Sequence, residues 1–436
     1  MSTEKYYHTN NQGHLTIGGV DALELTKKFG SPLVAYDVGQ IRRQYQAFAT
    51  GFEQAQSPYV ISYASKAFAT VAMYQVIKQL GGHIDVVSGG ELYTALRAGF
   101  PTAKISFHGN NKTREELIMA VKNHVGVIIL DNFYEIELLE EILTETQSHM
   151  QVMLRVTPGV TAHTHEYDQT GQEDSKFGFD VQSGQAEQAF IRVQASTWMT
   201  LIGLHAHIGS QILEVDGYQL EVQKLLALVH EWSQKFGYQP QVLNLGGGFG
   251  IHYTAADKEL PAQTFITQIV QTMRASAQEY HLDQPAIWIE PGRALVGGAG
   301  YSLYTVGSRK DVPGLTSCVA VDGGMGDNIR PALYQADYEA VLASAPAAQP
   351  RETVRLVGRY CESGDVLIKQ VSLPATKPGD VIAVLATGAY GYSMASNYNR
   401  VPRPAVVFAE NGRAQEVVTR ETYEDLISHD QSYQLK

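Results

Sequence analysis

The sequence predicts an α/β protein: a (β/α)8 TIM-like barrel over residues 33–296, then a β-rich, sandwich- or barrel-like domain over residues 297–436, with residues 1–32 as an N-terminal segment packing on that second domain. Three observations carry this. From Leu33 onward, short strand-like runs alternate with amphipathic segments that end at glycine. The runs are apolar along almost their whole length, as strands buried on both faces require, and their number favours a closed barrel over a doubly wound open sheet. After Gly297 the alternation gives way to short strand runs separated by Gly, Pro and Asp turns.

In chain order, the polar N-terminal segment holds a short strand at His14–Ile17 and a helix from Val20, DALELTKKFG, stopping at Gly30 before Ser-Pro. The barrel runs are LVAYD (33–37), YVISYAS (59–65), HIDVVS (83–88), KISFH (104–108), VGVIIL (125–130), QVMLRV (151–156), LIGLHAHIG (201–209), QVLNLGG (241–247) and AIWIE (286–290). Segments such as AFATVAMYQVIKQLGG and ELYTALRAGF are the intervening helices. The second domain reads SLYTVGSRK, SCVAVDGGM, TVRLVGRYCE, DVLIKQVSL, DVIAVLAT and AVVFAE.

Composition bounds the function. With 44% hydrophobic and 18% charged residues the chain is globular, and at a net charge of −12 it is a poor partner for nucleic acid or anionic membranes. No apolar run is long enough to span a bilayer or serve as a signal core, so a cytoplasmic location is expected. The two cysteines, Cys318 and Cys361, make no disulfide framework and lack metal-site spacing.

Working residues of a β/α barrel sit at the C-terminal strand ends. Those positions here are Lys66, Asp85, Ser88, His108, His205, His207, the run Gly246-Gly247-Gly248-Phe249-Gly250, and Glu290-Pro291-Gly292-Arg293. Lys66, at the end of a β-rich apolar run, is placed for desolvation that frees its amine for Schiff-base chemistry; an ordinary strand-end lysine would snorkel to water. The glycine run, leading toward a helix, leaves backbone N–H groups for a phosphate, and Gly292 lets a backbone approach closely. A nucleotide fingerprint is missing. An amine, a phosphate cradle and a carboxylate together suit pyridoxal phosphate. His205 and His207 alone would also suit a metal-dependent barrel hydrolase.

YASKAF, HAHIGS, GGGFG, EPGR, RPALY (330–334), CESGD (361–365) and GAYGYSMASNYN (388–399) resemble, in the same order, the fold-type III pyridoxal-phosphate decarboxylases, and within them the branch that converts meso-2,6-diaminopimelate to L-lysine and carbon dioxide in lysine biosynthesis. The resemblance implies a Schiff base on Lys66, His207 stacked on the ring, Ser210 with Gly246, Gly247 and Gly248 on the phosphate, Glu290 on the pyridine nitrogen, and Asp85, Gly292, Arg293 and Tyr390 as further cofactor contacts. Arg293, Arg330, Tyr334, Glu362 and Tyr390 would hold the unreactive end of the substrate, and Cys361 would protonate Cα. It also implies a homodimer in which Cys361 and Glu362 are donated to the partner's site, and no metal. Two arginines, a tyrosine and a carboxylate do suit a zwitterionic head. Arginine, ornithine or carboxynorspermidine are the alternative substrates. Phe68 and Tyr360 depart from the family pattern. A polar, small-residue run from residue 163 to Phe179 is expected to cover the mouth.

Overall fold

The computed structural model describes residues 7–160 and 176–434, in two compact units: residues 42–251 with 258–295, and residues up to 41 with 252–257 and 296 onward. The part of the mouth-covering run over residues 163–175 lies outside the described residues.

The first strand of the alternation, β1 (Leu33–Asp37), is buried at every position. Eight further strands follow: β2 (Tyr59–Ala64), β3 (His83–Val86), β4 (Ile105–Phe107), β5 (Val127–Leu130), β6 (Met150–Thr157), β7 (Met199–His205), β8 (Val242–Asn244) and β9 (Ala286–Ile289). They pair in parallel in the order β6-β7-β8-β9-β2-β3-β4-β5, and β5 pairs back onto β6, which closes the barrel and excludes the open sheet. Alternation along the strands sorts the interior into layers. Val127, Ile129, Met153, Ile202 and Val242, with Trp288, form one apolar cluster. Two residues beyond Val242 and Trp288, on the same strand faces, stand Asn244 and Glu290. The polar layer therefore begins where the strands end.

Placing the barrel start at residue 33 needs correction. β1 is a strand of the other unit, antiparallel to β10 (Gly300–Lys310) and parallel to the strand Ala405–Glu410. A five-residue run buried on both faces reads alike in either sheet, so periodicity cannot assign it. That sheet continues through β11 (Cys318–Val321), β12 (Glu352–Val357) and β13 (Val366–Leu373) on one side of β10. The N-terminal segment adds Leu15, Ile17, Ala22 and Leu25 to a core shared with Leu33, Ala35, Leu303, Ala383 and Val407. Its helix, Ala22–Phe29, is capped by the Asp21 carboxylate on the Leu23 N–H and stops at Gly30, φ 79°.

Candidate active site

β2 ends in a single 3-10 turn, Ser65–Ala67, that carries Lys66. Ser65 and Ala67 are buried but Lys66 is exposed, so the protein does not supply the desolvation that the sequence suggests for its amine. The turn itself is fixed. The Ser65 N–H donates to Asp85 Oδ1 at 3.0 Å, the Tyr63 hydroxyl donates to the Phe68 carbonyl at 2.8 Å, and Phe68 is 1% exposed, so the departure at Phe68 is a packing residue.

Glu290 follows β9 and is surrounded by nitrogen. Asn244 Nδ2 donates to its Oε1 at 2.7 Å, His205 Nε2 lies 3.2 Å from Oε2, and His108 Nε2 lies 3.0 Å from Oε1. Burial alone would raise the Glu290 carboxyl, yet the two imidazoles hold it well below the usual range. Burial pushes His205 down to about 4, so at neutral pH it is a neutral ring whose Nε2–H faces the carboxylate. Asp85 moves the other way: burial, then the charge on Glu290, raise its carboxyl well above the usual range. Their surroundings thus bias the two acids in opposite directions, Glu290 toward its anion and Asp85 toward its neutral form.

The glycine run packs where no side chain fits. A Cβ at Gly247 would lie 2.3 Å from the Glu290 carbonyl oxygen, and one at Gly248, φ 97°, would lie 2.4 Å from that of Gly209. Gly246 is braced twice: its N–H donates to Asn244 Oδ1 and its carbonyl accepts the Glu290 N–H. The Gly247 and Gly248 N–H groups donate to no acceptor among the described residues. The following helix starts only at Ala262, so the cradle is made of turn amides and not of a helix N-terminus, contrary to the sequence expectation. Beside it, an Arg293 guanidinium N–H donates to Ser210 Oγ at 2.7 Å, and Gly292 lies so near the Lys66 turn that a Cβ would be 2.8 Å from that of Ala64. The half-buried His207 imidazole is held well below its usual range by burial and then by the Lys66 charge.

The remaining expected residues belong to the β-rich unit. Arg330 is 7% exposed, its guanidinium donates to the Tyr253 hydroxyl at 2.8 Å, and its charge faces the rings of Tyr253, Tyr334 and Tyr390 at 5.3, 5.8 and 5.9 Å. Its buried Nε–H has no hydrogen-bond partner among the described residues, which suits a ligand carboxylate. Tyr390 holds φ 59°, a conformation that a bulky side chain adopts only where its surroundings enforce it. Tyr334, Cys361 and Glu362 are exposed. The loop bearing the last two is tied down by Asp365, which accepts the Met325 and Tyr360 N–H groups, and the Cys361 N–H donates to Asn399 Oδ1. Tyr360, the other departure, is 8% exposed and stacks on Tyr398.

His205 and His207 do not form the metal pair that two alternate histidines suggest. His205 turns into the barrel, and its companions are His108 and Glu290, with ligand atoms within 4.8 Å of one another. The carboxylate is already engaged by the Asn244 Nδ2–H and by His205 Nε2, while His108 Nε2 stands 3.0 Å away without forming a hydrogen bond, which suits an anion held by donors better than a metal ligand. Sequence reading missed Asn244, Arg155 and Tyr253, and gave His108 no role. His108 is legible as a strand-end residue, whereas Tyr253, three residues past the glycine run, has no signal of its own. Arg155 lies on β6, its Nε 4.0 Å from Asp131 and its guanidinium over the Phe177 ring at 4.3 Å.

These residues fit pyridoxal phosphate: an accessible amine, two unengaged amides in a cradle that a Cβ would fill, and a buried anion. A family model described as the pyridoxal-dependent decarboxylase, pyridoxal binding domain matches residues 38–297. The chain is 55% identical over 421 residues to the diaminopimelate decarboxylase of Bacillus subtilis (strain 168), covering 97% of this chain and 96% of that one. It is 44% identical to that of Staphylococcus aureus (strain COL), covering 98% and 99%. A crystal structure of diaminopimelate decarboxylase from M. jannaschii in co-complex with L-lysine superposes with a TM-score of 0.92 at 35% identity, covering 98% of each chain.

Proposed function

We infer the reaction from one premise, that this chain belongs to the diaminopimelate decarboxylase family of pyridoxal-dependent enzymes. It decarboxylates meso-2,6-diaminopimelate to L-lysine and carbon dioxide, the last step of lysine biosynthesis, as a carboxy-lyase. The observation that carries this is the set held at one end of the barrel: the Lys66 amine, the Gly246–Gly248 cradle and the anionic Glu290.

Pyridoxal phosphate supplies, when bound, the electron sink that breaking a Cα–carboxylate bond requires. The roles of the protein residues are our proposal. Lys66 would hold the cofactor covalently through its exposed amine. The Gly247 and Gly248 amides, Ser210 and Arg293 would take the phosphate, with Gly246 and Gly292 allowing the close approach. His207 would lie against the ring, Glu290 would supply the anion for the pyridine nitrogen, and Asp85, which accepts the Ser65 N–H, keeps the Lys66 turn in place. Arg330, with Arg293, Tyr334, Glu362 and Tyr390, grips the distal amino-acid head, so that binding at the far end orients the scissile carboxylate. Cys361 delivers the proton to Cα.

The exposure of Tyr334, Cys361 and Glu362 supports a homodimer in which Cys361 and Glu362 serve the partner's site. Both cysteines are free, and no helix among the described residues is long and apolar enough to cross a membrane; we place the enzyme in the cytoplasm. The test is to add pyridoxal phosphate and meso-diaminopimelate to purified protein and follow the visible absorption band and lysine together. Wild type shows both, and Lys66→Ala loses both. A protein that takes up no cofactor, or that turns yellow but makes no lysine, would overturn the reading.

A further inference from the structure

Glu290 is reached from three walls of the barrel. Asn244 ends β8, the strand next to β9; His205 ends β7, one strand further; His108 follows β4, which is separated from β9 on the other side by β2 and β3. Their nitrogens stand 2.7, 3.2 and 3.0 Å from the two carboxylate oxygens, and all four residues are at least nine-tenths buried. The Asn244 amide orientation is unambiguous because its Oδ1 accepts the Gly246 N–H, so Nδ2 must face Glu290. The His108 and His205 rings meet edge to face at 5.0 Å and 75°, so each limits the rotation of the other. An isolated carboxylate this deep would take up a proton.

We propose that His108, His205 and Asn244 are positioning residues, which hold Glu290 as an oriented anion and thereby set the protonation of the cofactor's pyridine nitrogen. This deepens the cofactor reading given above and rests on it. Asn244 has a second task. Through Gly246 it ties the Glu290 carboxylate to the phosphate cradle, whose backbone Glu290 also grips through its own N–H. The two ends of the cofactor site are thus one hydrogen-bonded unit. The other titratable groups that sense Glu290 are Asp85, Arg155, His207 and Glu221.

The test reconstitutes wild type, Asn244→Asp, His205→Leu, His205→Gln and His108→Leu with pyridoxal phosphate and records three quantities: the cofactor dissociation constant, the pH at which the visible band is lost, and kcat with KM for meso-diaminopimelate. Asn244→Asp swaps a donor for a competing anion, and His205→Leu removes one. Each is expected to weaken cofactor binding about 10- to 100-fold, the worth of one hydrogen bond to a charged group. Each should also shift the band's pH midpoint by about one unit or more and lower kcat while KM stays within about twofold, because the distal grip is untouched. His205→Gln keeps an N–H near Oε2 and should recover most of the wild-type midpoint. Variants that melt earlier but keep the wild-type midpoint and kcat would show a packing role and overturn the proposal. A wild type without the band would instead overturn the cofactor reading.

Discussion

The turn that carries His108 depends on a buried ion pair. Lys112 Nζ donates to Glu135 Oε1 at 2.6 Å and to the Gly109 and Ile129 carbonyls at 2.8 Å each, so all three of its N–H bonds are used; the two side chains are 1% and 3% exposed. Glu135 Oε2 accepts the Asp131 N–H. Removing one partner strands the other charge without water. Lys112→Met leaves a carboxylate beside two carbonyl oxygens, and Glu135→Leu leaves an ammonium with two acceptors. Each is expected to cost about 3–5 kcal/mol, whereas the double variant exchanges a buried pair for apolar volume and costs less than either. The coupling in the cycle should then exceed about 3 kcal/mol. Burial already raises the Glu135 carboxyl with its lysine present, so without that cation it escapes by protonation, and Lys112→Met should be less destabilised at pH 5 than at pH 8. Urea denaturation followed by circular dichroism at both pH values measures all four proteins. Single variants costing under about 1 kcal/mol, or additive costs, would refute the reasoning.

Three more outcomes are expected. Cys361→Ala should lower kcat about 10²- to 10⁴-fold with little change in KM if the thiol protonates Cα, and unchanged turnover would remove that role. Gly247→Ala puts a methyl 2.3 Å from the Glu290 carbonyl oxygen, where only backbone can yield; cofactor affinity should fall at least about tenfold and the folding midpoint should drop, both read by titration and melting. Asp327 is pushed up to about 7 by burial, against hydrogen bonds from Tyr304 and Gly324. Its folded form therefore binds a proton that the unfolded chain has released by about pH 4, so it contributes stability below that pH that is lost as pH rises to 7, in all about 4 kcal/mol. His205, lowered to about 4, contributes with the opposite sign, losing stability as pH falls from about 6.5. The two mask each other in wild type, and the difference curve between wild type and Asp327→Asn isolates the first; a difference that does not change between pH 4 and 7 refutes it.

What the sequence displays and what it hides follow from the same physics. A strand buried on both faces announces itself by unbroken apolar residues, and a strand end by the first polar one, so Lys66, Asp85, His108, His205 and Glu290 were visible as an unordered set. Pairing partners are not local. LVAYD carries no mark that it lies between β10 and Ala405–Glu410, strands far away in sequence, so its own residues cannot say which sheet it joins. Orientation was hidden for the same reason. HAH at the end of β7 looks like two equivalent imidazoles, but the step from strand to loop sends His205 into the barrel onto Glu290 and leaves His207 half-exposed. Asn244 could not be singled out, because an asparagine before a glycine run reads as turn chemistry. Only the closed barrel turns it into the donor that joins Glu290 to the cradle. Asn244 matches no motif, and its role is written in the curvature of the sheet, which brings β4, β7 and β8 to face one carboxylate.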